Sequence, residues 1–186
     1  MDAKKTKKIV VLATGGTIAG WAADASQPQN YKAGQVSVAD LLASAHPKTL
    51  GAQIELESEQ VAQVDSKDMS YAVWQQLLAR LTHHLNRDEV QGVVITHGTD
   101  TLEETAYFLQ AVLNPAKPVA LTCAMRAANA PDSDGPANLQ QALAWAQQPQ
   151  SQGVAVVAAG EVHAGATVQK QHSQQLNPFA ADPARQ

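Results

Sequence analysis

The 186-residue sequence has one cysteine, few aromatic residues (4%) and no long hydrophobic run. Because Cys123 has no second cysteine to pair with, an internal disulfide is excluded. No stretch approaches the roughly 20 consecutive apolar residues of a membrane span, which argues against a membrane protein. Charged residues make up 16% and the formal net charge is −4, which argues against nucleic acid as the main partner. A cytoplasmic protein is the simplest interpretation, and a cysteine-poor secreted protein stays open.

Hydrophobic residues are plentiful, at 45% of the chain, and their arrangement predicts the fold class. A chain of this length and composition is expected to form one globular core. Strands alternating with helices pack as a mostly parallel sheet covered on both faces. The sequence therefore predicts a single α/β domain with a doubly wound, Rossmann-like sheet. Five apolar runs are the strand candidates, at residues 9–13, 54–64, 93–95, 119–123 and 154–157.

Helical patterns separate most of these runs. The clearest helix has its apolar residues at helical spacing on one face: Trp74, Leu77, Leu78, Leu81 and Leu85. Thr101 and Glu104 have the spacing of a capping box at the start of the next helix, which Asn114-Pro115 would end. Pro136 suits the first turn of a further helix. A shorter helix is expected over residues 38–44.

Two segments lack a regular pattern. Residues 21–37 form a long polar stretch after the first strand, and such stretches are often lids or binding loops. Residues 164–186 are polar and show no further strand pattern. The sequence therefore predicts an α/β domain over residues 1–163, followed by a linker-like or frayed tail over residues 164–186.

Two strand candidates end in segments rich in Thr and Gly: Thr14-Gly-Gly-Thr17 and His97-Gly-Thr-Asp-Thr101. Open α/β sheets bind ligands at the carboxyl ends of their strands. Thr17, Thr99 and Asp100 are therefore expected to face one crevice. The first segment is not a nucleotide signature, because it lacks both G-x-G-x-x-G and a following Gly-Lys-Ser/Thr. Taken alone, either segment is explained about equally well by a ligand site or by a tight turn with helix-capping threonines.

Other polar residues are weaker candidates. Ser66-Lys-Asp68 follows the second strand and either reaches the crevice or only starts the next helix. Lys170 stands alone in the polar tail, where a lysine is usually a solvated charge. His97 is expected to be a packed or hydrogen-bonded residue, and His83 and His84 are expected on a helix surface. Nothing in this spacing predicts a zinc or iron site, so the residues alone indicate a small polar ligand.

Considered together, Ala13–Gly20 and Ile95–Leu109 resemble the two signature motifs of the bacterial-type L-asparaginases. The resemblance extends to about Lys170. It implies hydrolysis of L-asparagine to L-aspartate and ammonia, often with some action on L-glutamine. It also implies that this reaction needs no metal or organic cofactor. Further segments follow in the family's order: Tyr31 and residues 65–69, 124–126 and 133–136.

The resemblance also implies four catalytic residues. Thr17 would be the nucleophile that forms an acyl-enzyme, and Tyr31, in the mobile loop, would accept its proton. Thr99 would orient the second hydroxyl or the attacking water. Lys170 would assist Thr99 as a charge partner or base. Backbone N–H groups of the Gly-rich turn would stabilise the oxyanion.

For substrate binding, the resemblance assigns the α-ammonium group to Asp100 and the α-carboxylate to Ser66. Lys67 stands where some relatives have Gln or Glu. Family members continue into a second, smaller domain that completes the site of a neighbouring subunit, so a homo-oligomer is expected once such a domain is supplied. The sequence ends before it. The alternatives are a weak or inactive domain that only binds aspartate or asparagine, a non-functional fragment, and a tRNA-dependent amidotransferase subunit.

Overall fold

The computed structural model describes residues 6–24, 27, 29–45, 50–51 and 53–181. Its strands are β1 (Lys7–Gly15), β2 (Trp21–Ala22), β3 (Tyr31–Lys32), β4 (Ile54–Val64), β5 (Val90–Thr96), β6 (Val119–Thr122), β7 (Val154–Ala158), β8 (Glu161–Ala164), β9 (Val168–Lys170) and β10 (Phe179–Ala181). Its helices are α1 (Val38–Ala45), α2 (Tyr71–Leu85), α3 (Leu102–Leu113) and α4 (Gly135–Ala146). Two single 3-10 turns cover Thr17–Ala19 and Ser66–Asp68.

A six-stranded sheet in the order β4-β1-β5-β6-β7-β8 forms the centre of the molecule. The first five strands in this order are parallel, and β8 pairs antiparallel with β7 at one edge. The predicted α/β class and mostly parallel sheet are therefore confirmed. All five strand candidates are strands, and the four expected helices form between them. No helix in the described ranges combines the length and the hydropathy needed to cross a bilayer.

The two faces of this sheet carry separate hydrophobic clusters, because successive side chains of a strand point to opposite faces. On β1, Val10 and Leu12 join the cluster packed under α2 and α3, whereas Ile9 and Val11 join the cluster under α1 and α4. All four side chains are fully buried. This double coverage explains why the central strands are continuous apolar runs rather than alternating ones.

The tail is more ordered than its sequence pattern predicts. The expectation of no further strand in residues 164–186 is wrong, since β9 pairs antiparallel with β10 in a separate ribbon. The strand β8, which was not among the strand candidates, extends the main sheet. Val168 and Phe179, on the two strands of the ribbon, are buried in the cluster under α2 and α3. Each strand of the ribbon places one side chain in this cluster. One apolar residue per strand does not produce a hydrophobic periodicity in the sequence.

Two further expectations need correction. Part of the polar stretch 21–37 is a short ribbon, in which β2 pairs antiparallel with β3. His84 is buried at 2% exposure rather than lying on the helix surface. Its Nε2 lies 3.0 Å from Glu59 Oε2, and its Nδ1 accepts a hydrogen bond from Arg87 at 2.9 Å. The histidine is covered because it lies between Glu59 on the edge strand β4 and Arg87, which follows the end of α2.

The packing of the tail is testable by comparing two apolar residues of the same segment. Phe179→Ala is expected to lower the free energy of unfolding by about 3–5 kcal/mol, because it removes a buried ring. Leu176, which is 46% exposed, is the matched control. Leu176→Ala is expected to change the free energy of unfolding by less than about 0.5 kcal/mol. Urea unfolding followed by circular dichroism measures both. Equal, small effects would show that the ribbon does not pack.

Candidate active site

The site lies where the order of the parallel strands reverses. β1 is the first strand of the sheet, and its neighbours β4 and β5 lie on opposite sides of it. In doubly wound sheets, ligands bind outside the carboxyl ends of the strands at such a point. The pairing of β1 with β4 shifts register between Ala13 and Gly15, so the end of β1 is bent there. The loop that follows carries Thr17.

The loops after β1 and β5 touch through two glycines. Gly16 has φ +78°, and a Cβ atom there would lie 2.3 Å from the Cα of Gly98. Such a distance is far below van der Waals contact, so only glycine permits this approach. Thr17 and Thr99 each follow one of these glycines directly. The expectation that the two threonine-rich segments meet at one crevice is therefore met by the backbone itself.

Thr17 and Tyr31 form a pair of hydroxyl groups at this crevice. Thr17 Oγ1 lies 2.8 Å from the hydroxyl of Tyr31, which is on β3. Both side chains are partly buried and partly exposed to solvent. A ligand can therefore reach Thr17 while its hydroxyl is bonded to a second group that can exchange a proton with it.

Lys170 connects the ribbon β9–β10 to the loop after β5. Its ammonium group donates hydrogen bonds to Thr99 Oγ1 and to Asp100 Oδ1, both at 2.8 Å. Thr99 is buried at 6% exposure, whereas the side chain of Asp100 is 52% exposed. Because the ammonium donates to Thr99, the hydrogen of the threonine hydroxyl is left to point at another acceptor. The solvated-charge interpretation of Lys170 is therefore wrong.

Ser66 joins the turn after β4 to the same loop. Its Oγ accepts the backbone N–H of Asp100 at 3.1 Å, and its carbonyl accepts the hydroxyl of Thr101 at 2.8 Å. Ser66 is 3% exposed, and its side chain fills the place where a Cβ atom on Gly98 would be. The expected capping box at α3 does not form, because the hydroxyl of Thr101 bonds to Ser66 instead of capping the helix.

His97 is held in one tautomer by a buried chain of hydrogen bonds. An indole nitrogen only donates, so Trp74 Nε1 donates to Thr105 Oγ1 at 2.9 Å. Thr105 then donates to His97 Nε2 at 3.0 Å, and His97 Nδ1 donates to the carbonyl of Gly98 at 2.7 Å. Burial lowers the pKa of His97 to about 4. The ring is neutral at pH 7 and supports the loop, as expected for a packed histidine.

A cavity of about 450 Å³ opens beside Tyr31, within the size range of small-molecule pockets. Its lining lies outside the two threonine-rich segments. The carboxylate of Asp134 shapes one wall, because it accepts the backbone N–H groups of Met125 and Arg126 at 3.0–3.1 Å. The sequence signal for this wall is Asp134, which stands immediately before Gly135-Pro136 at the start of α4. The lining residues are Gln29, Tyr31, Met125, Arg126, Ser173 and Gln174.

Neither a metal site nor a reactive cysteine is found among the described residues. Among the described residues, no group of three or more His, Cys, Asp and Glu side chains is arranged to hold a metal ion. Cys123 is fully buried behind the site, and burial raises the pKa of its thiol well above its ordinary value. The thiol is therefore protonated at neutral pH and is not a nucleophile.

Comparison with known proteins gives a consistent result. The family model described as Asparaginase, N-terminal, matches residues 8–186. A probable periplasmic L-asparaginase of Haemophilus influenzae is 41% identical over 158 residues, which is 85% of this chain and 44% of that protein. The glutaminase-asparaginase of Pseudomonas fluorescens biotype A is 39% identical over 168 residues, which is 89% of this chain and 46% of that protein.

A solved structure is similar over nearly the same part of the chain. The crystal structure of a probable cytoplasmic L-asparaginase from Campylobacter jejuni matches with a TM-score of 0.88 and 35% sequence identity. The match covers 94% of this chain and 53% of that one. The chain thus spans about half the length of the proteins that it matches.

The contact between the two glycine loops is testable with a control at another glycine of positive φ. Gly160 has φ +82°, and a Cβ atom there would have no neighbour within 4 Å. Alanine at either position carries the cost of a positive φ, about 1–2 kcal/mol. Gly16→Ala is expected to cost about 1–3 kcal/mol more than Gly160→Ala, because it forces the loops apart. Urea unfolding measures the difference, and equal costs would contradict the contact.

The neutral state of His97 predicts a pH dependence of stability. Its pKa is about 4 in the folded chain against 6.5 as the ordinary value, so the unfolded chain binds more protons between these pH values. The free energy of unfolding is therefore expected to fall by about 3 kcal/mol as the pH drops from 6.5 to 4. Urea titrations are expected to show a flatter pH profile of the unfolding free energy for His97→Gln. His83 is exposed, and His83→Gln is expected to keep the profile of the parent chain. Identical slopes in all three chains would refute the assignment.

Proposed function

The chain belongs to the asparaginase N-terminal domain family, and on this premise we propose that it hydrolyses the side-chain amide of L-asparagine to L-aspartate and ammonia. The observation that carries the proposal is the hydroxyl pair of Thr17 and Tyr31, 2.8 Å apart, at the crevice where the strand order reverses. The Lys170–Thr99 contact lies in the adjoining loop. These are polar groups suited to an acyl transfer.

In the first half of the proposed reaction, Thr17 Oγ attacks the amide carbon of the substrate. A threonine hydroxyl is a weak nucleophile until a neighbour accepts its proton, and Tyr31 is within hydrogen-bond distance to do so. Tyr31 passes a proton to the leaving nitrogen, the C–N bond breaks, and ammonia departs. The oxyanion is stabilised before this step by backbone N–H groups of the Gly-rich turn other than that of Gly16, which donates to the carbonyl of Val64. An ester of Thr17 is left.

In the second half, water attacks the ester carbon and the bond to Thr17 breaks. Thr99 orients this water, because its hydroxyl accepts from Lys170 and so has its own hydrogen directed away from the ammonium group. The positive charge of Lys170 also favours negative charge that develops nearby. Thr17 regains its proton, and L-aspartate is released.

Two residues recognise the amino-acid end of the substrate in this proposal. Asp100 Oδ1 accepts from Lys170, and we assign the second oxygen of this half-exposed carboxylate to the α-ammonium group. Ser66 Oγ accepts the backbone N–H of Asp100, so its own hydrogen serves the α-carboxylate. L-Glutamine is a second candidate substrate, because one relative is named a glutaminase-asparaginase. The cytoplasmic location stays a prediction, since similar proteins are named both cytoplasmic and periplasmic.

The nucleophile is testable with a diazoketone analogue of L-asparagine, which alkylates an activated hydroxyl. Mass spectrometry of the 186-residue chain is expected to find the label on the peptide that contains Thr17. Thr17→Ser retains a hydroxyl and is expected to react, whereas Thr17→Val is expected to take no label and to release ammonia at least about 10³-fold more slowly. A label on another residue, or undiminished turnover by Thr17→Val, would refute the role.

The same preparation separates hydrolysis from simple binding. Calorimetric binding of L-aspartate without ammonia release from L-asparagine would support a domain that only binds the amino acid. Weaker binding by Asp100→Asn would then still support the assigned contact with the α-ammonium group. No ammonia release would refute the proposed hydrolysis, and the absence of binding as well would refute the binding-only alternative.

A further inference from the structure

Lys170 reaches the site from a part of the chain that the main sheet does not hold. It is the last residue of β9, and β9 pairs only with β10 in the described part of the sheets. Fixing a lysine side chain costs up to about 2 kcal/mol of conformational entropy. Where its ammonium lies therefore depends strongly on where its backbone is held relative to Thr99 and Asp100.

A carboxylate at the start of α3 holds that backbone. Glu103 Oε2 accepts a hydrogen bond from the backbone N–H of Lys170. The segment that leads directly into the same helix carries Thr99 and Asp100, which accept from the Lys170 ammonium at 2.8 Å each. Both ends of the lysine are thus bound by the short segment 99–103. Its backbone N–H donates to Glu103, and its ammonium donates to Thr99 and Asp100, which precede the N-cap residue Thr101.

We propose that Glu103 is a positioning residue, which fixes the backbone of Lys170 so that its ammonium stays on Thr99 and Asp100. The catalytic consequence rests on the proposed function, whereas the positioning itself does not. Misplacing a catalytic group by about 1 Å can cost on the order of 10²-fold in rate. Glu103 touches neither of the reacting hydroxyl groups in the described contacts, so it acts through Lys170.

A simpler explanation for Glu103 is the favourable placement of any acidic residue in the first turn of a helix. Glu104 occupies the same turn of α3 and is exposed to solvent. The helix explanation applies to both glutamates, whereas only Glu103 is bonded to Lys170. Glu104→Ala is therefore the matched control. Val168 buries its side chain on the same ribbon, so β9 stays packed when Glu103 is replaced.

The first measurement is amide hydrogen exchange by ¹⁵N NMR, which does not depend on activity. In Glu103→Ala the exchange of the Lys170 amide is expected to accelerate at least about 10-fold, as expected when a bond of about 1.4 kcal/mol is lost. Glu104→Ala is expected to leave it unchanged. Glu103→Gln keeps an acceptor oxygen and is expected to exchange at an intermediate rate. Unchanged exchange in both Glu103 variants would overturn the proposal.

The second measurement is ammonia release. Glu103→Ala is expected to lower kcat about 10–100-fold with little change in KM. Glu103→Gln is expected to recover part of the lost kcat. The kcat of Glu104→Ala is expected to stay within about 2-fold of the parent value. Equal losses in Glu103→Ala and Glu104→Ala would overturn the proposal. If the parent chain releases no ammonia, the proposed function fails, and Lys170 amide exchange still decides whether Glu103 positions the lysine. If Glu103→Ala does not fold, Glu103→Gln decides both measurements.

Discussion

The close approach of Gly16 and Gly98 is the contact on which the rest of the site depends. β1 and β5 are neighbouring parallel strands, so their carboxyl ends leave the sheet at the same edge. The loops that follow would still diverge if either carried a side chain at this point, because a Cβ atom on Gly16 would collide with Gly98. With glycine at both positions, Thr17 and Thr99 are set by two backbones in contact rather than by flexible side chains.

Around this contact, the loops that carry Thr17 and Thr99 are held by groups of defined hydrogen-bond direction. Ser66 accepts from the loop after β5, and the neutral His97 donates to the carbonyl of Gly98. Because a buried imidazole disfavours its charged form, His97 acts as a support and does not compete as a proton carrier at pH 7. Lys170 and Asp100 form an ion pair beside the buried hydroxyl of Thr99.

The ribbon β9–β10 shows how a weakly patterned segment can supply a site residue. Among the described residues of this segment, Val168 and Phe179 anchor it in the core, yet it brings Lys170 to within 2.8 Å of Thr99. Such a segment has few contacts, so a single added bond, from Glu103, has a large effect on where the lysine lies. Glu57 on β4 forms ion pairs with Arg87, just after α2, and with Lys8 on β1. These pairs hold the pKa of the Glu57 carboxyl at about 2, and they lie away from the site.

The α/β class, the five parallel strands and the threonine-rich strand ends could be predicted from the sequence, because apolar runs and glycine turns are local features. Resemblance to a family supplied the roles expected of Tyr31 and Lys170, which no spacing could reveal. The burial of His84 and the β9–β10 ribbon were decided only by the tertiary structure. Both arise from contacts between residues far apart in the chain, and such contacts depend on strand order and on the distance between backbones, neither of which a local pattern records.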